Sequence, residues 1–504
     1  MNRFRLQAAL ASAVVALLMT GCRVGPKYQK PPALVQAPPA SYKESPTQFP
    51  GSDTWKVAQP QDAMLHGKWW EIYNDPELNA LEDKLNIDNQ NIKEYFENFM
   101  AARTLIAQAR SQLYPTLSAD PSFTRSMSSG NLANTSTASP GHESSVTTMG
   151  LDASWAPDIW GKVRNTIREE QYNAQLSEAD LENERLTEQA TLALTFFEIR
   201  GQDALQAVYD QTIAADQKSL DYTRAQYETG VGDQISVVEA ENTLQNAQAA
   251  ATNLGVARAQ YDHAIAMLIG TDPSSFSIPV KALKAAPPAV PIGVPSQLLE
   301  RRPDIAASER SMAAANAQIG IATAAFYPTL TLSAAGGFES TALGNLFTWP
   351  SRFWSIGPSA SELIFDAGLR RATVDQYIFT YNADVASYRQ TVLTAFQQVE
   401  DYLAAERILS KQFQQQLAAA QSAQHFVDLE TGRYETGIDP YIDVVTAQTT
   451  LLSDQQTLAT VQTEQMTASV QLIEALGGGW DASQLPTPAD VSKKITRSDA
   501  AIQR

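Results

Sequence analysis

Few side chains in this 504-residue chain are spaced for chemistry. The four histidines, His66, His142, His263 and His425, are scattered. No His-Glu-x-x-His pair and no phosphate-binding glycine loop occurs, and Gly477-Gly478-Gly479 reads as the end of a helix. The chain is therefore expected to be no enzyme and to need neither metal nor diffusible cofactor. The reactive group in a recognisable context is the thiol of Cys22, the sole cysteine. It follows Leu18-Met19-Thr20-Gly21, which resembles a lipobox, where the cysteine is acylated on sulfur and becomes the N-terminus after cleavage. Met19 stands where that motif usually has Leu, and an ordinary cleaved signal is the alternative. A lone cysteine forms no intramolecular disulfide and no thiolate cluster, so its expected task is attachment.

Attachment presupposes export. Arg3 and Arg5, an apolar run over residues 8–18 and small residues before Cys22 read as a signal peptide of residues 1–21, too short to span as a helix. Arg23 follows, where lipoproteins kept at the inner membrane tend to carry Asp, so the outer membrane is the expected destination. Cleavage removes Arg3 and Arg5 and moves the formal charge from −18 to about −20. That balance argues against nucleic acid as a partner. A solvated acidic surface is its simpler meaning, and attraction of cations into a water-filled lumen is the alternative. No later stretch approaches the roughly 18 uninterrupted apolar residues of a membrane helix, so any crossing must use strands.

The chain is written twice. Tyr227-Glu228-Thr229-Gly230 recurs as Tyr434-Glu435-Thr436-Gly437, and at the same spacing of 207 residues Gly161 answers Gly368 and Gly270 answers Gly477. Tyr114-Pro115-Thr116-Leu117 recurs as Tyr327-Pro328-Thr329-Leu330 at a spacing of 213, so six residues were gained or lost in between, where hairpin loops tolerate insertions. The expected division is a lipidated strap over 22–74, a first repeat over 75–270, a Pro/Ala-rich linker over 271–294, a second repeat over 295–478 and a tail over 479–504. Trp69, Trp70 and Tyr73 could dock the strap on the body.

Each repeat opens on a helix-start signal, Asp75-Pro76-Glu77 or Pro295-Ser296 with a second at Pro303-Asp304, and a helix is expected to run on to the Tyr-Pro-Thr-Leu motif. The period then changes to two. Leu117, Ala119, Pro121 and Phe123 alternate with Thr116, Ser118, Asp120, Ser122 and Thr124, and Met149, Leu151, Ala153 and Trp155 alternate with polar neighbours. The second repeat sets Leu330, Leu332 and Ala334 against Thr and Ser, and places Ser355, Gly357, Ser359 and Ser361 on one face of its return strand. Such strands suit a barrel between lipid and water. Four of them cannot close around water, so either the sheet packs on a soluble core or several chains share one barrel.

Residues 162–228 and 370–435 then hold no proline and no turn cluster, only Gly201 in the first, and an unbroken helix of that length reaches on the order of 100 Å. Val392, Val399, Phe413, Ala420, Val427 and Tyr434, with Ala395, Tyr402, Leu409 and Ala423, form a heptad stripe interrupted by Glu406, Gln416 and Glu430. It reads as packing between helices. Glycine closes each rod at Tyr-Glu-Thr-Gly, and a shorter helix returns.

The lipobox followed by Val24-Gly25-Pro26-Lys27-Tyr28, the segment Leu298-Leu299-Glu300-Arg301-Arg302-Pro303-Asp304-Ile305 and the two paired motifs resemble the lipoprotein branch of the TolC-like outer-membrane factors, the OprM and NodT-like proteins. The resemblance covers nearly the whole mature chain. It implies an α+β membrane protein that works as a homotrimer, each protomer giving four strands to a shared 12-stranded barrel above a long α-helical periplasmic barrel. It implies a periplasmic adaptor and a proton-driven inner-membrane pump as partners, contact with outer-membrane lipid, and S-diacylglycerol and N-palmitoyl groups on Cys22. Efflux of drugs, toxic compounds or metals is the expected function. A type I protein-secretion exit duct is the runner-up, and a lipid-anchored periplasmic coiled-coil scaffold is the reading of another class.

The family pinches its tunnel shut at the periplasmic tip, here residues 227–239 and 434–446. Asp443 matches one position of the family's acidic ring, while Thr446 stands where a further Asp is frequent. The family's lock joins a tyrosine and a nearby arginine to an aspartate. Tyr434 matches the tyrosine, but Asp439 occupies the arginine position and Ser236 the aspartate position, so a lock here needs other bonds, such as Tyr434 to Ser236. Asp233 and Asp439 are alternatively solvated turn residues.

Overall fold

The computed structural model describes residues 23–34, 41–44, 55–57, 67–127, 129, 143–283, 286–292 and 295–494. The signal segment and Cys22 lie outside the described residues, as do parts of the strap, the first hairpin loop and the end of the tail.

Aspartate starts the first repeat as expected. Asp75 Oδ1 accepts the Glu77 amide at 2.9 Å and begins α1 (Pro76–Asp88). The expected single helix breaks at Asn89, whose side chain accepts the Ile92 amide at 3.0 Å and donates to Leu268 O at 2.9 Å, so α2 (Gln90–Ser111) starts afresh. Strands β2 (Thr116–Met127) and β3 (Glu143–Trp155) follow, then rod α3 (Lys162–Glu228) and returning helix α4 (Gln234–Leu268). The second repeat has a short α5 (Leu298–Arg301), α6 (Pro303–Ala324), β5 (Thr329–Ser340), β6 (Arg352–Ser361), rod α7 (Leu369–Glu435) and returning α8 (Tyr441–Ala475). A last turn, α9 (Pro488–Val491), sits on α3.

The two rods have 67 residues each and the two returning helices 35 each, at one spacing in sequence. At 1.5 Å per residue each rod is about 100 Å long. Near the strands the rods pack with α2 and α6, and beyond them α4 and α8 take those places. The heptad stripe is packing: Val392, Ala395 and Val399 are fully buried and Ala420 and Ala423 nearly so. Gly201 has a packing reason, because a Cβ there would lie 2.4 Å from Thr463 Oγ1 on α8.

The antiparallel sheet has the order β2-β3-β5-β6, leaving β2 and β6 as edges. Its register stacks the apolar positions. Ala119 faces Leu151, Leu151 faces Gly336, and Gly336 faces Trp354, while Leu117, Ala153, Ala334 and Ile356 form the next row. Leu117 is 72 % exposed and Ile356 76 % exposed, so nothing among the described residues covers this face. The opposite face carries Thr116, Ser118, Asp120, Asp152, Ser333, Glu339 and Ser355. Among the described residues no helix is long and apolar enough to cross a membrane.

A second, parallel pair joins β1 (Trp55–Val57) in the strap to β4 (Val290–Ile292) in the linker, which the composition of neither segment announced. Trp69 and Trp70 are buried where the strap meets the rods, Trp69 Nε1 donates to Gln189, and Tyr73 packs on Phe197. Asp203, buried in α3, accepts from Arg258 of α4 at 2.7 Å and from the Lys281 amide of the linker at 2.8 Å. A buried carboxylate held by that many donors ties rod, returning helix and linker at one level.

Candidate gate at the helical tips

Each rod ends in the same way. The amide of Gly230 donates to Tyr227 O and that of Val231 to Gln226 O, and the amides of Gly437 and Ile438 donate to Tyr434 O and Arg433 O. Gly230 at φ +77° and Gly437 at φ +74° take the left-handed turn this closure requires. The returning helices start differently. Asp233 caps α4 by accepting the Ser236 amide at 2.8 Å, which holds its carboxyl below the usual range, whereas α8 starts after Pro440.

Tyr434 reaches across to the first repeat. Its hydroxyl donates to Gln226 Oε1 at 2.6 Å, and its ring packs on Tyr222 and Tyr441. Within the chain the tyrosine therefore bonds Gln226 and not Ser236. Leu220, Ala240, Leu244, Tyr441 and Val444 form a small apolar core behind it. Asp439 pairs with Arg433 through both carboxylate oxygens, and this hydrogen-bonded pairing lowers its pKa and raises that of Arg433. Asp443 is half-buried near it, and the carboxylates of Glu430, Asp439 and Asp443 lie within 4.8 Å of one another, with Arg433 as the neutralising charge. Thr446 joins none of these, since its hydroxyl bonds Ile442 O in its own helix.

Two links at the tip involve the residues expected there, Tyr434 to Gln226 between the rods and Arg433 to Asp439 within the second turn. Gln226 and Arg433 were not singled out from the sequence. Each directly precedes the tyrosine of its motif, and the repeat spacing makes them equivalent positions, so the difference between them was a readable sign that the two tips differ in chemistry.

At the other end, the chain just after Cys22 is held where the sheet gives way to the rods. The Val24 amide donates to Trp160 O, Arg23 Nε donates to Asn165 Oδ1 at 2.8 Å, and Asn165 returns a bond to Val24 O. Gly25, at φ +103°, lies so close to α6 that a Cβ would come 2.5 Å from Gly320 Cα. Tyr28 donates to the buried Glu309 at 2.7 Å.

The chain matches the family described as outer membrane efflux protein over residues 83–271 and 294–478, the two repeats in turn. It is 31% identical over 481 residues to the antibiotic efflux pump outer membrane protein ArpC of Pseudomonas putida, covering 94% of this chain and 96% of that one. The same figures hold for the toluene efflux pump outer membrane protein TtgC of that species. The solved outer-membrane channel OprN superposes with a TM-score of 0.81 at 26% identity, covering 91% of this chain and all of that one.

Proposed function

Because the chain belongs to the outer membrane efflux protein family and is an outer-membrane channel component of efflux, we propose that three copies close one twelve-stranded barrel and pass toxic small molecules from the periplasm to the exterior. The observation that carries this reading is the sheet. Among the described residues one face is apolar and uncovered, the other is polar, and both edges are unpaired. Hydrocarbon tolerates no open edge, and four strands are too few to enclose water. Twelve strands satisfy both conditions, with the apolar face to lipid and the polar face to a lumen. A lipid-anchored coiled-coil scaffold gives no reason for such a sheet.

The rods of three chains then line a periplasmic tunnel about 100 Å long, and the two tip links hold its end closed. The tunnel does no chemistry and needs no cofactor. Energy comes from a proton-driven inner-membrane pump through a periplasmic adaptor, whose task is to release the tips. The relatives named for antibiotics and toluene support small organic compounds as cargo, and no observation favours protein secretion. Cys22 carries S-diacylglycerol and N-palmitoyl groups in this reading. Its support is the docking of Arg23 and Val24 at Gly161 and Trp160, where the sheet enters the rods and the inner surface of the membrane would lie.

Cross-linking and native mass measurement of the full-length protein from outer membranes, read with single-channel conductance, test the assembly. A trimer forming a large but mostly closed pore is expected. A monomer without conductance would overturn the shared barrel.

A further inference from the structure

We infer that Arg352 and Arg125 form a binding site for an anionic, phosphate-bearing lipid headgroup at the outer rim of the barrel, on the seam between neighbouring chains. The inference rests on the closed three-chain barrel proposed above.

The strand register divides the charges of the sheet. Asp120, Asp152 and Glu339 lie on the polar face, and the apolar face carries only Arg125, Glu143 and Arg352. All three sit towards the strand ends far from the helices. Arg125 is nine residues beyond Thr116 and Arg352 nine residues before Ser361, so each is about 30 Å along its strand at roughly 3.3 Å per residue. With strands tilted by about 40°, that is a height of about 23 Å, where an apolar band about 25 Å tall ends. Both arginines therefore reach the headgroup level of the outer leaflet. They also stand on the two edge strands, β2 and β6, which closure of the ring sets side by side between one chain and the next.

The surroundings suit a phosphate. Arg352 has no carboxylate partner among the described residues, and its guanidinium lies 3.3 Å from the ring centroid of Trp349, which is itself 73 % exposed. An aromatic platform fixes the guanidinium plane without consuming its donors. Arg125 shares Glu143 at 2.6 Å, and both side chains stay more than half exposed. Two arginines against one glutamate leave each seam positive, and the guanidinium fork matches phosphate oxygens. Trp354 and Phe338 beside Arg352 belong to the apolar face, which favours a ligand with acyl chains over a free ion.

The test uses the assembled protein in nanodiscs of phosphatidylcholine containing a minor fraction of phosphatidic acid, followed by native mass spectrometry of the lipids retained. Wild type is expected to retain phosphatidic acid preferentially. Arg352→Gln should reduce the preference about fivefold, the factor that corresponds to about 1 kcal/mol per basic side chain at an anionic membrane surface, and adding Arg125→Gln should reduce it further. A double variant of trimeric mass with undiminished preference would overturn the headgroup site. A monomeric mass in the same spectrum would instead overturn the shared barrel, and the seam with it.

Discussion

Replacing Glu406 by Gln should make this protein less sensitive to rising pH. Glu406 lies in rod α7 inside the stripe that begins with Val392 and Val399, and it is 2 % exposed. One of its carboxylate oxygens has no hydrogen-bond partner among the described residues. Burial pushes its pKa from the ordinary 4.5 up to about 8. The folded chain therefore keeps a proton that the unfolded chain releases above pH 4.5, so the stabilising effect is complete below that value and is lost as pH rises through 8. At roughly 1.4 kcal/mol per pH unit, the loss from pH 5 to pH 7 is about 3 kcal/mol per chain. An unfolding entropy of roughly 1 kcal/mol/K for a chain of this length converts that to about 3 °C. Gln keeps the shape of the protonated acid and has no proton to lose. Melting of the detergent-solubilised protein should show the gap between Glu406→Gln and wild type widening by about 3 °C between pH 5 and pH 7. Other buried acids, Glu178 at about 7 and Asp216 at about 6, still lower both curves with pH, so the comparison between them is the readout. Parallel curves would refute the argument that an unpaired buried carboxylate is tolerated here by holding its proton.

Two glycines at helix ends, Gly477 just past α8 and Gly368 just before α7, separate backbone strain from crowding. Gly477→Ala combines φ +95° with a Cβ only 1.9 Å from Arg301 O and should cost on the order of 3 kcal/mol or more, whereas Gly368→Ala, at φ +89° in open space, should cost about 1 kcal/mol; equal melting shifts would deny the role of the Arg301 contact. Tyr434→Phe removes the hydrogen bond to Gln226 and, at about 1 kcal/mol, should raise the open-to-closed ratio of single channels about fivefold; unchanged open probability would place the closure elsewhere. Asp443→Asn should weaken cation preference in bilayers by removing one carboxylate from the cluster with Glu430 and Asp439, and an unaltered reversal potential would remove Asp443 from the conducting path.

What could be read in advance was whatever repeats at short range. Alternation of Leu117, Ala119, Pro121 and Phe123 with polar neighbours reports a two-faced strand, because neighbouring side chains of a strand point to opposite sides. The rods were legible because neither run holds a proline or a turn cluster, and the duplication because both copies keep their glycines. Pairings over long separations were not legible. Tyr434 and Gln226 are 208 residues apart, and nothing local to either announces the bond. The family's lock pattern pointed to Ser236, whereas within the chain the Tyr434 hydroxyl donates to Gln226 on the neighbouring rod. The break at Asn89 escaped because asparagine is tolerated inside helices, and only its tertiary bond to Leu268 O and its cap on Ile92 reveal why the chain turns. Glu406 read as an interruption in an apolar stripe, and its burial follows from the neighbours that surround it.

The equal lengths of the two rods and of the two returning helices have a consequence for symmetry. A ring of three such chains has a backbone that is nearly sixfold, since every second tip is a copy of its neighbour at a fixed sequence offset. Its side chains are only threefold: Gln226 alternates with Arg433, Gly232 with Asp439, and Ser236 with Asp443. The six tips can therefore share one shape while dividing their labour, with one set of three carrying the charged clasp and the other receiving the tyrosine. Opening in such a ring is not an iris of six equal movements, and a partner built from six identical parts meets two kinds of tip in alternation.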